Sequence, residues 1–382
     1  MLFWLVLWII PVALCLTQPK LIRNPDELQR FRESGEKCAV LGSGREVKSN
    51  AVREALVGRW RDDSLPGARN DGLKIGLAIE GGGMRGAVSA GATAAIHYLG
   101  LAESFDCVYG SSAGSMIGSY FVSRQLGGIS VYHAILPSAA KDFIDKRKLI
   151  STLGAPNRFA SRNDVFNLNF LLEKVMSECQ KFDYETFLKN NAKQPLSIMT
   201  SDLETLQAVR LSSENGNFDD LPTLLKCIRS SMLVPGVTGE LMALYEGEKT
   251  PCIVEYPKRP LRPLRSDRRR GRRAPVTNLL GDALITEPIP YRQAVKDGCS
   301  HVLVLRTRPD PALTVLHGKG GVYEHVIARR CLQRYGHHEA AAYMMKQGHV
   351  YTYAEDLLVL GRRSTAHMAG LDTAHLLGIA PA

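Results

Sequence analysis

The sequence predicts an α/β fold built on a mostly parallel central sheet. Two glycine-rich turns carry that prediction. Each lies between an apolar run of strand length and a segment of helical periodicity, and the two units follow one another directly. Strand, turn, helix, strand, turn, helix is the pattern of a parallel βαβ unit. Both turns then fall at the carboxyl ends of strands, where parallel sheets bind their ligands. A length of 382 residues, 45% hydrophobic and 23% charged, supports a large buried core. It excludes a wholly disordered chain, a collagen-like fibre and a polytopic membrane protein.

The first sixteen residues are almost wholly apolar, and the first charged side chain is Lys20. A membrane-spanning helix needs about 20 apolar residues. This run is shorter, contains Pro11 and has no Lys or Arg before it. It reads as a signal peptide with Ala13 and Cys15 as small residues near a cleavage site, as a short anchor, or as an artefact of the start codon. Membrane targeting is the expectation for residues 1–19. Residues 20–72 read as an N-terminal extension with helices near 25–32 and 47–59, closed by the turn Asn70-Asp71-Gly72.

Residues 73–79 read as a buried strand that runs into Glu80-Gly81-Gly82-Gly83-Met84-Arg85-Gly86. A helix begins at Ala87. Val88, Ala92, Ala95, Ile96 and Leu99 mark an apolar face, and Ala87, Ala90, Gly91 and Ala94 a small-residue face suited to a sheet. Residues 105–109 form a second strand, which enters Gly110-Ser111-Ser112-Ala113-Gly114. A helix follows to about Leu126, with Met116, Ile117, Tyr120 and Phe121 as its apolar residues. Further strands are expected at 196–200, 205–211, 276–280 and 301–305, with a helix at 221–231 ending near Pro235 and Gly236. Residues 311–382 read as mostly helical.

The formal charge of +10 is localised. Residues 258–273 hold nine Lys or Arg and one Asp, and without them 39 basic residues face 37 acidic ones. A nucleic-acid binder would spread its charge more widely and interleave aromatic residues, so no specific nucleic-acid partner is expected. The prolines around this stretch make 257–275 an irregular basic insertion, suited at most to anionic lipid. The eight cysteines, Cys15, Cys38, Cys107, Cys179, Cys227, Cys252, Cys299 and Cys331, include no CxxC pair. They read as free thiols in a reducing compartment rather than as a disulfide framework.

Gly110, Ser112 and Gly114 satisfy G-x-S-x-G. A serine on a sharp strand-to-helix turn exposes its oxygen, and flanking glycines remove the Cβ atoms that would clash there. Its place between a strand and a helix makes a nucleophile the stronger reading and a tight structural turn the weaker. A glycine loop before a helix presents N–H groups to an anion, either a pyrophosphate or the oxyanion of an acyl-transfer intermediate. Gly81, Gly83 and Gly86 also fit G-x-G-x-x-G. The ribose-binding acid that motif needs is missing, because Asp106 stands at the start of the second strand and not its end. Arg85 suits either a lipid phosphate or, the favoured use, pinning the loop to a carboxylate.

The base has two routes. One is Ser-His-Asp, with Asp282 followed by His301, His317 or His325. The other is a Ser-Asp dyad in which burial raises the pKa of Asp282, the residue that follows an apolar strand. Asp297-Gly298 reads as a solvent turn.

The glycine loop, the serine turn, residues 227–231 leading to Pro235 and Gly236, and Asp282 with Glu287, Pro288 and Pro290 after it together resemble the patatin-like phospholipase family. Residues 291–309 look like its plant and algal branch. The resemblance covers roughly 73–310 and implies a three-layer α/β/α catalytic domain. It implies Ser112 as nucleophile, Asp282 as base, and Gly81, Gly82, Gly83, Met84, Arg85 and Gly86 as the oxyanion loop. No histidine, metal, calcium or other cofactor is required. The implied activity is hydrolysis of glycerolipid acyl esters, of phospholipase A or lysophospholipase type. A triacylglycerol lipase and a silent lipid binder are the alternatives. The implied partner is a membrane or lipid-droplet surface, reached from the cytoplasmic face or in a plastid. One departure stands out: the family's Asp-Gly-Gly/Ala reads here as Asp282-Ala283-Leu284.

Overall fold

The computed structural model describes residues 50–144, 165–234, 238–239, 242–245, 252–255, 276–308, 324–325, 327–333, 336–361 and 374–381. The apolar segment 1–19, the helix expected near 25–32, Pro235 and Gly236, and the basic stretch 257–275 lie outside these residues.

Nine strands pair into one sheet among the described residues. They are β1 (Ile75–Ile79), β2 (Cys107–Ser111), β3 (Leu196–Asp202), β4 (Ala208–Ser212), β5 (Met242–Tyr245), β6 (Cys252–Glu255), β7 (Val276–Gly281), β8 (His301–Leu305) and β9 (His375–Ile379). The order is β6-β5-β7-β3-β2-β1-β8-β9, with β4 also on β3. The five strands from β3 to β9 in that order are parallel. The pairings of β4, β5, β6 and β7 are antiparallel. The expected mixed α/β architecture with a parallel centre is therefore present.

Every residue of β1, β2, β3 and β8 is buried, as strands covered on both faces must be. The two-residue period of a strand sorts these side chains into two cores. Leu77, Ile79, Val108, Leu303 and Leu305 face one core with helices α1 (Ala51–Arg61), α2 (Gly86–Tyr98), α3 (Ala113–Val122), α4 (Tyr184–Asn191), α5 (Leu221–Ser231) and α7 (His338–Met345). Ala78, Cys107, Tyr109, Val302 and Val304 face the other, with α6 (Tyr291–Lys296) and α8 (Gly348–Gly361). Two helical layers thus sandwich the sheet. All ten residues of α3 are buried, because it lies inside the larger layer.

Three readings of the sequence change. In α2 the buried stripe is Gly86, Ser89, Ala90, Thr93, Ala94 and Ile96, while Val88 is 38% and Leu99 41% exposed. Close packing of α2 on its neighbours selects small side chains, and of the expected apolar face only Ile96 is buried. The C-terminal region does form helices, but it also supplies β9, parallel to β8. The short strands β5 and β6 had no expected counterpart.

Asp106 has a structural use. It accepts from Arg59 Nη1 at 2.7 Å, from Arg69 Nε at 2.8 Å and from the N–H of Ile75 at 2.7 Å. Arg59, 3% exposed, also holds Asp71 at 2.6 Å and the carbonyls of Ser104 and Leu73. It lowers the carboxyl of Asp71 to about 2. Helix α1, capped by Asn50, is tied in this way to the entries of β1 and β2.

Candidate active site

Ser112 follows β2 directly, with φ 50° and ψ −122°. A side chain held in that region costs on the order of 1–3 kcal/mol, so its neighbours must fix it. A Cβ on Gly114 would overlap the carbonyl oxygen of Ile79, and one on Gly110 the carbonyl oxygen of Gly114. Glycine at both places lets β1, β2 and α3 close around the turn. The N–H of Ser112 donates to Ser231 Oγ at 2.8 Å, and Ser231 Oγ donates to the carbonyl of Met199. The carbonyl of Ser112 accepts from the N–H and hydroxyl of Ser115 at 2.8 and 2.6 Å. The serine therefore stands at the N-terminus of α3, where first-turn N–H groups lack intrahelical acceptors and favour negative charge.

The sheet explains how Asp282 reaches it. Ser197, Ile198 and Met199 pair with both β2 and β4, and Ser201 pairs with both β4 and β7. A strand residue has one partner per edge, so β2 and β7 share an edge of β3 and run towards each other. Ser111 is opposite Met199 and Gly281 opposite Ser201, and the residues just past each strand end meet. Ser112 Oγ donates to Asp282 Oδ2 at 3.0 Å. Thr200 Oγ1 donates to the carbonyl of Gly281, and Ser201 Oγ to that of Asp282, both at 2.7 Å. The N–H of Asp282 donates to the carbonyl of Leu233 at 2.8 Å.

Asp282 is 4% exposed. Burial raises its carboxyl to about 6, opposed by hydrogen bonds from the N–H of Leu284 and from Ser112. The Leu284 bond, 2.8 Å to Oδ1, belongs to a short turn at Ala283–Ile285. Neither Ala283 nor Leu284 has positive φ, so the turn that follows the aspartate does not require glycine.

The glycine loop lies against the serine. A Cβ on Gly81 would stand 2.8 Å from Ser112 Cβ. Gly81 donates to the carbonyl of Pro288 at 3.3 Å, and Ser111 Oγ to that of Glu287 at 2.7 Å. Gly82 has φ 147°, which suits glycine. The N–H of Arg85 closes a turn on the carbonyl of Gly82 at 3.1 Å, and Tyr132 donates to the carbonyl of Gly83 at 3.1 Å. Among the described residues, the N–H groups of Gly82, Gly83 and Met84 donate no hydrogen bond within the chain. Gly86 begins α2 beneath Tyr132. Burial and the nearby Arg308 lower Arg85 to about 10, against the pull of Glu80.

The structure brings Ser112, Asp282 and the loop together and leaves the other candidates elsewhere. His301 lies against His375, with ring centroids 4.8 Å apart and the planes tilted by 37°. His325 is exposed, and His317 lies outside the described residues. Asp297 is more than a solvent turn, since it accepts from Tyr109, Arg210 and Gln293, but Ser112 is not among its partners. Cys107, Cys227 and Cys299 are buried free thiols. Among the described residues no three His, Cys, Asp or Glu side chains converge on a metal position. Thr200, Ser201 and Glu80 were not legible as supports, because hydroxyls in a strand and one acid before a loop carry no local signal. Ser231 was signalled only as part of 227–231.

A family model described as patatin-like phospholipase matches residues 77–294, more than half of the chain. No curated protein matches at a significant level. Among solved structures, the crystal structure of VipD from Legionella pneumophila is 12% identical, with a TM-score of 0.28 over 48% of this chain. The chain spans 45% of that structure's length. The matched residues run from β1 through the glycine loop and the serine turn to Asp282 and α6, and on that span the chain belongs to the patatin-like phospholipase family.

Proposed function

We propose that this protein hydrolyses acyl esters of glycerolipids with Ser112 as nucleophile and Asp282 as its base. The 3.0 Å hydrogen bond from the strained serine to a buried carboxylate carries this reading. Asp282 takes the proton of Ser112 Oγ as the oxygen attacks the ester carbonyl carbon. Charge develops on the carbonyl oxygen, and the N–H groups of Gly82, Gly83 and Met84, with the first turn of α3, receive it. Collapse breaks the ester bond. The leaving alcohol takes the proton from Asp282, and the acyl group stays on Ser112. Water, deprotonated by Asp282, then releases the fatty acid and restores both residues. A carboxyl near 6 is a better acceptor than an ordinary aspartate and is still ionised at neutral pH.

Family membership supports a phospholipid or lysophospholipid ahead of galactolipid or neutral glyceride, including triacylglycerol. It also supports a membrane or lipid-droplet surface as the place of action, with the net +8 of residues 258–273 favouring anionic lipid. No helix among the described residues is long and apolar enough to cross a membrane; the apolar run of residues 1–19 adds to the support for membrane association.

The test is hydrolysis of a para-nitrophenyl fatty-acyl ester by the protein, Ser112→Ala and Asp282→Asn. We expect turnover in the parent and a loss of about 10³-fold or more in each variant. Retained turnover in Asp282→Asn would move the base elsewhere. A folded but inert parent would make the chain a silent lipid binder.

A further inference from the structure

The glycine loop has little side chain of its own to hold it, and its supports reach beyond the matched family region. Glu80, immediately before the glycines, is 2% exposed. Its Oε2 accepts the N–H of Thr307, and its Oε1 accepts the hydroxyl of Tyr353 at 2.9 Å. Thr307 Oγ1 donates to the carbonyl of Gly81 at 3.1 Å. The N–H of Glu80 donates to the carbonyl of Leu305 at 3.0 Å. Thr307 and Tyr353 both follow residue 294, where the family match stops. Tyr353 is itself fixed, with the guanidinium of Arg308 4.3 Å from its ring centroid.

One turn further along α8, Asp356 is buried and accepts from Tyr291 Oη at 3.0 Å and Arg292 Nε at 2.8 Å. Those residues continue the segment whose Glu287 and Pro288 carbonyls accept from Ser111 and Gly81. Helix α8 therefore holds the loop from its front edge through Glu80 and from behind through the 287–292 segment.

We propose that Tyr353 is a positioning residue which, through Glu80, fixes the glycine loop at the distance from Ser112 that an oxyanion requires. The inference rests on the reading of Ser112 as nucleophile. Loop donors act on charge that exists in the transition state and not in the bound ester. Loosening them lowers kcat and leaves KM nearly unchanged.

The full-length chain carrying Tyr353→Phe loses one hydroxyl and no ring. We expect kcat on a short-chain para-nitrophenyl ester to fall about tenfold, the scale of one buried hydrogen bond, with KM within about twofold of the parent. Labelling of Ser112 by a fluorophosphonate probe slows in parallel. The control is Tyr343→Phe, which removes the 2.9 Å contact with Thr352 on the same helix and is expected to keep the parent kcat. Each variant is assayed well below its own melting temperature, so that lost stability is not read as lost positioning. A Tyr353→Phe kcat and labelling rate equal to the parent's, or a rise in KM at constant kcat, would overturn the positioning role alone. A parent with neither Ser112-dependent turnover nor labelling would overturn the nucleophile assignment, and this inference with it.

Discussion

Asp282 meets two opposed demands at the scale of one residue. As the proposed base it must be ionised, and as a buried group it resists ionisation. With its carboxyl near 6, hydrolysis is expected to rise as pH passes from about 5 to 7 and then level, a profile measurable as kcat/KM against pH. The same shift acts on stability with a definite sign. The unfolded carboxyl ionises near 4 and the folded one near 6, so between those values the folded state binds more protons. Stability falls as pH rises through the window, by about 3 kcal/mol at most. Asp282→Asn keeps the shape and removes the charge. It is expected to melt above the parent at pH 8 and level with it at pH 4, and a variant less stable than the parent at pH 8 would contradict the buried-charge account. The strained turn at Ser112 was legible in the sequence, since glycines two positions either side of a serine, placed between a strand and a helix, leave room for it. What Asp282-Ala283-Leu284 does was not legible. Whether the family's glycine is dispensable depends on the backbone angles of a turn, and only the folded chain fixes those.

At the scale of elements, the meeting of β2 and β7 on one edge of β3 turns two distant segments into one site. Strand positions were readable, but that edge-sharing was not. It depends on which strand pairs with which, and a run of Val, Leu and Ile is neutral to its neighbour. Helix α2 shows a second limit. Two faces were marked, and the small-residue one, suited to a sheet, holds the buried Ala90 and Ala94, whereas Val88 and Leu99 of the apolar face, with Tyr98 beside them, remain exposed. Helix α1 lies outside the family match, yet its Arg59 is buried against Asp71, Asp106 and two carbonyls. Arg59→Leu would leave Asp71 without its guanidinium and Asp106 with that of Arg69 alone. It should cost about 3 kcal/mol, read as a lower denaturation midpoint with an unchanged m-value.

For the molecule as a whole, the sheet is continuous from the strand that ends at the Ser112 turn to β9, which was missed because a short apolar run containing Gly378 carries neither clear period. β5 and β6 were missed for the same reason, at four residues each. Deleting residues 374–381 would uncover the edge of β8, whose Val302 and Val304 are buried. A bare parallel edge recruits other strands, so this truncation is expected to lower the melting temperature and to associate as concentration rises, visible by size-exclusion chromatography. The other wing carries a different constraint. β6 and β7 both pair antiparallel with β5, from opposite edges, so they run in the same direction. Glu255, where β6 ends, is opposite Met242, and Val276, where β7 begins, is opposite Tyr245, so the two ends lie at opposite ends of β5. Strands that run in the same direction are joined by about a dozen residues or more, and removing the sixteen residues 258–273 would leave four between Glu255 and Val276. That deletion is expected to pull on β7, which ends one residue before Asp282, and so to abolish hydrolysis for a reason unrelated to charge. The proposed role of those basic residues in lipid binding is therefore tested with a neutral replacement of equal length.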